Sequence, residues 1–156
     1  MTYPFISRLV TVAALAGALA SQAFAADGMI ELQSQNGFQA TRDKLIDTLK
    51  AKGMKIFTVV DHASGARSAG LKLRPTTVVI FGNPKVGTQL MQCAQTAGID
   101  LPMKALIWED AKGVVRLGYN DPAWMAARHH VDDCKIVTKM SRALGNFARA
   151  ATTASR

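Results

Sequence analysis

Acidic side chains are scarce in this 156-residue chain: 11 Asp and Glu stand against 19 Lys and Arg, for a formal net charge of +8. Aromatics make up only 6%, and there are two cysteines and five prolines. No tract is dominated by Pro, Gly, Ser or charge, and 49% of residues are hydrophobic, which excludes a disordered chain. No Gly-X-Y or heptad period is present, which excludes a fibre. Missing too are a phosphate-loop spacing, a Cys-x-x-Cys, a Gly-x-Ser-x-Gly and any pair of histidines four residues apart, so no familiar catalytic motif is on offer. The basic residues are dispersed, with no three in a row and no aromatic interleaving, so nucleic acid is not an expected partner.

What is present begins with an address. Residues 1–25 carry one charge, Arg8, then an apolar run from Leu9 to Leu19, then the small-x-small triplet Ala23-Phe24-Ala25. This is the three-part pattern of a secretory signal, with cleavage expected after Ala25. The apolar run is shorter than the roughly 20 residues that span a bilayer. The expectation is a periplasmic protein, free of the membrane after cleavage, consisting of one domain over residues 26–156.

The remaining chain alternates strand and helix patterns. Strands are expected at Met29–Gln35, Lys55–Val60 and Thr76–Phe81, the last bounded by Pro75 and by Gly82-Asn83-Pro84. Lys104–Glu109 and Val114–Tyr119, joined by Asp110-Ala111-Lys112-Gly113, read as a hairpin. Helices are expected over Phe38–Lys52, after the caps Asp61 and Thr88, from Asp121-Pro122, and from Asp132 to Ala150, with a frayed tail beyond. The economical architecture is a single α+β domain.

Three features invite chemistry. The Gly82–Thr88 loop follows a strand and precedes a helix, so free N–H groups of the first turn together with Lys85 suggest an anion site. His62, at a helix start, and His129 and His130, near the end of a later helix, are candidate polar or metal-binding groups, although any metal site has to be assembled from distant segments. Cys93 and Cys134 are disulfide candidates in an oxidising compartment; a reactive thiol pair, or soft-metal ligands with Met91, are the rivals. The six methionines after the initiator are scattered along the chain and read as core filling.

Taken in order, Asp61-His62-Ala63, Gly70-Leu71, Leu73-Arg74-Pro75-Thr76, Phe81-Gly82-Asn83-Pro84-Lys85, Gly87-Thr88, Leu90-Met91-Gln92, Leu101-Pro102, Trp108-Glu109-Asp110, Tyr119-Asn120-Asp121-Pro122 and Arg128-His129 closely resemble the bacterial family called domain of unknown function 302. The resemblance implies a TATA-binding-protein-like α+β fold, with a curved, mainly antiparallel sheet packed against helices. It also implies homodimers as an option, and it brings no established activity. Gln89, where the family pattern suggests proline, and Cys93 depart from it.

Residues and resemblance together nominate His62, Arg74, Asn83, Lys85, Thr88, Tyr119, Asn120, Arg128 and His129 as one ligand-binding patch beside strand ends and helix starts. The functional expectation is a non-catalytic, exported module for a small anion or polar metabolite, with no cofactor. The alternative is a metal- or haem-linked redox protein using His62, His129 or His130 with Cys93 or Cys134.

Overall fold

The structure is a computed structural model and describes residues 26–154. The secretory signal expected at 1–25 lies outside the described residues.

Five strands, β1 (Met29–Gln33), β2 (Lys55–Asp61), β3 (Thr76–Gly82), β4 (Met103–Glu109) and β5 (Val115–Asn120), form one open sheet in the order β1-β5-β4-β3-β2. Every neighbouring pair is antiparallel. Five helices complete the fold: α1 (Phe38–Ala51), α2 (His62–Ser68), α3 (Pro84–Cys93), α4 (Pro122–Arg128) and α5 (Ile136–Thr152), with a 3-10 turn at Gln95–Ile99 after α3.

Alternation of side chains sets the two faces of the sheet. Val79 and Phe81 of β3, Ala105 and Ile107 of β4, and Leu117 and Tyr119 of β5 point to the helical side and are buried. Against them lie α1, through Leu45 and Leu49, and α5, through Met140, Leu144, Phe147 and Ala148. Helical spacing of those apolar residues gives each helix one buried stripe. The other face, with Val78, Ile80, Leu106, Arg116 and Trp108, is only half-buried. A side chain at Gly118 would meet the Trp108 ring at 3.2 Å, so the bare glycine lets that indole lie across β5.

Apart from shifts of one or two residues at element ends, three features differ from the sequence reading. Helix α3 begins at Pro84, not Thr88, because Asn83 Oδ1 accepts from the Lys85 N–H and proline follows at the first helical position. Helix α5 begins at Ile136, four residues after the Asp132 expected. The tail is tied down, not frayed. The Gln35 N–H donates to the Thr152 carbonyl, Asn36 Nδ2 and Lys44 Nζ donate to the Thr153 carbonyl, and the Ala154 N–H donates to Gln35 Oε1.

Candidate functional site

A cavity of about 410 Å³ opens between the end of β3, the start of β4, α3 with its 3-10 turn, and the first half of α5. Phe81 and Met103 come from the sheet, Val86 and Met91 from α3, and Met140 and Leu144 from α5. Phe57, 45% exposed, also lines it. A bulge in β2 between Ile56 and Thr58 takes Phe57 out of the regular strand pairing. Four methionines, Met54, Met91, Met103 and Met140, line the one space, although they stand far apart in sequence. Their unbranched, polarisable side chains make such a wall adaptable in shape. The polar side chains on the lining are Asn83, Thr88 and Lys139, and no carboxylate joins them.

The anion site expected at Gly82–Thr88 is not formed by the backbone. The Lys85 N–H is taken by Asn83 Oδ1, the Val86 and Gly87 N–H groups both donate to the Asn83 carbonyl, and Pro84 has none to offer. The first turn of α3 is therefore closed to an anion. Thr88, expected as a cap, sits inside the helix and faces the cavity.

The nine-residue patch is also not one patch. His62 follows the end of β2, and Arg74, whose Nε donates to the Glu109 carbonyl, precedes β3, so both lie at one end of the sheet. Asn83 and Lys85 follow the other end of β3, and Tyr119 pairs with Ala105 near the start of β4. The seven residues of β3 separate Arg74 from Asn83, which at about 3.3 Å per residue is on the order of 23 Å. Tyr119 is buried beneath α5, and Asn120 is exposed at the strand end. Arg128 and His129 both grip Asp100: Arg128 Nη1 lies 2.8 Å from Oδ1 and His129 Nε2 lies 2.7 Å from Oδ2. His129 Nδ1 is 3.0 Å from Thr96 Oγ1, so both ring nitrogens are engaged. This cluster fastens the 3-10 turn to the end of α4, behind the cavity wall formed by Gly98 and Leu101. Of the nine, Asn83 and Thr88 line the cavity.

Cys93 and Cys134 are joined, with Cα atoms 6.1 Å apart, a separation within the range that a disulfide spans. In this state neither thiol is a metal ligand, and His62 stands at the far end of the sheet from His129. Among the described residues, no three His, Cys, Asp or Glu side chains are grouped to hold a metal. Sequence reasoning missed the cavity itself. Its lining is mainly apolar and comes from four separate stretches of chain, so each piece reads as ordinary core.

Asp110, its partner Arg116 and Tyr119 are displaced by their surroundings. The hydrogen bond from Arg116 and those from the Val114 and Lys112 N–H groups hold the Asp110 carboxyl below the usual range. Burial, with the nearby Asp121 charge, pushes the Tyr119 phenol up. None of these groups lines the cavity.

The architecture is that of a small α+β domain with an open five-stranded antiparallel sheet, helices on one face, and an apolar recess at one sheet end. The chain belongs to the family described as domain of unknown function DUF302, whose model matches residues 30–147. A crystal structure of an uncharacterized conserved protein of that family from Bacillus stearothermophilus superposes with a TM-score of 0.73 at 16% identity, covering 81% of this chain and 99% of that one. Two curated relatives, both named fluoride-specific ion channel FluC 1, come from Brucella suis and Brucella abortus. Each is 49% identical over 102 residues, which is 65% of this chain but 40% and 38% of theirs. The chain thus spans about two fifths of the length of these curated relatives. Among the described residues, no helix is long and apolar enough to cross a membrane.

Proposed function

We propose that this domain is an exported, non-catalytic binding module whose ligand is a small, mainly apolar molecule. The observation that carries the reading is the 410 Å³ apolar recess. Its size lies in the range of ligand sites, and its wall has the expected character: mostly hydrophobic, with a few polar groups. The sequence had pointed to a small anion or polar metabolite, a ligand that an apolar wall would desolvate without repayment. Export is supported by the leader pattern of residues 1–25 and by a disulfide suited to an oxidising compartment.

The channel relatives suggest an accessory role for such a domain beside a membrane protein. Fluoride itself is a poor candidate for the recess. A small, strongly hydrated anion needs a shell of donors, and this lining supplies chiefly methyl, methylene and aromatic groups.

The test uses N-phenyl-1-naphthylamine, an uncharged dye that brightens in apolar surroundings. The wild-type protein should brighten it saturably. Ala143→Phe, which fills the recess from α5, should abolish the effect while keeping a cooperative thermal transition. Failure of the wild-type protein to brighten the dye at any concentration would overturn the reading.

A further inference from the structure

We infer that the ligand is an acidic amphiphile: an acyl chain lying among the methionines and phenylalanines, with a carboxylate at Lys139. The inference rests on the recess being a binding site and adds the chemical class of what it takes.

Three observations carry it. First, Lys139 is the one charged residue on the lining, and among the described residues it has neither an ion pair nor a hydrogen bond. Second, the other two polar side chains retain free donors: the Asn83 amide uses its oxygen for Lys85 but donates its N–H groups to no described residue, and the Thr88 hydroxyl is likewise unengaged. Third, no Asp or Glu lines the recess, so nothing there offsets the ammonium. An uncharged ligand would forgo the charge-assisted part of this interaction, and a cationic one would meet a like charge. An acid gains a charge-assisted hydrogen bond from Lys139 of α5, and two neutral donors, Asn83 and Thr88, line the same recess from the α3 side. The protein's net positive charge draws acids toward it from solution.

The recess of about 410 Å³ is within the size range of small-molecule sites and has room for a medium-length acyl chain. Straight and flexible, such a chain suits a wall of four methionines, which can repack around it.

The experiment displaces the bound neutral dye with three probes of equal chain length: dodecanoate, dodecanol and dodecylammonium. Wild-type protein should prefer dodecanoate to dodecanol by about ten-fold, the scale of one charged hydrogen bond at a partly exposed site, and should bind dodecylammonium most weakly. Lys139→Gln should bring the acid down to the level of the alcohol and leave the alcohol unchanged, while Lys139→Arg should keep the preference. Lys139 is exposed, so these variants leave the core intact. If the dye binds but acid and alcohol displace it equally, or if Lys139→Gln keeps the preference, the acidic headgroup is excluded and the apolar site stands. If the dye and all three probes fail to bind, the site itself falls.

Discussion

Cys93 closes α3 and Cys134 stands two residues before α5, and the bridge between them ties together the two helices that face each other across the recess. The bond spans 41 residues of sequence. In the chain-entropy model a loop of that length is worth about 4 kcal/mol. Replacing both cysteines with serine should lower the unfolding free energy by about that amount in a urea titration under non-reducing conditions. Dye binding at a temperature where both proteins stay folded should weaken as well, because the wall formed by α3 and its 3-10 turn loses its tether. Unchanged stability would show that the packing of α3 against α5 suffices alone.

Arg116 joins three strands' worth of chain on the half-buried face of the sheet. Its Nε lies 2.9 Å from Asp110 in the β4–β5 turn, and its Nη1 lies 2.8 Å from Glu31 of β1. Because the folded Asp110 carboxyl is held low, its contribution is present above the unfolded carboxylate range and is lost as pH falls through the lowered folded value. The wild-type protein should therefore lose stability below about pH 4 more steeply than Arg116→Gln. Parallel acid profiles for the two proteins would dismiss the clamp.

Tyr119 gives the opposite sign at the other end of the pH scale. Its phenol is raised by burial, so it stays neutral in the folded protein at a pH where the unfolded chain already ionises. Its contribution is full below about pH 10 and declines as pH rises through the raised folded value. Tyr119→Phe should lose less stability than the wild type between pH 9 and 11, read as the difference between their denaturation midpoints. A constant difference across that range would mean that the phenol does not titrate on unfolding.

Much of the fold was legible because its signals are local. Pro75 and Asn83-Pro84 bracket β3, Asp110–Gly113 marks the β4–β5 turn, and Met140, Leu144 and Phe147 recur at helical spacing in α5. The rule that reads Asp121-Pro122 as a helix start applies equally to Asn83-Pro84, and overlooking it moved the start of α3 to Thr88. The site was illegible for a different reason. Polar residues were grouped by their places beside strand ends, but an antiparallel strand carries its two ends to opposite sides of the molecule, which parts Arg74 from Asn83. The methionines, scattered in sequence, are gathered only by tertiary packing.

The hydrogen bonds that hold Thr152, Thr153 and Ala154 to Gln35, Asn36 and Lys44 anchor the last turn of α5 beside the corner after β1. That corner adjoins the start of β5, whereas the recess lies where β3 ends and β4 begins, at the other sheet end. A biosensor surface coupled through a tag placed after residue 154 would thus hold the domain by its base and leave the sheet end that carries the recess on the side away from the surface.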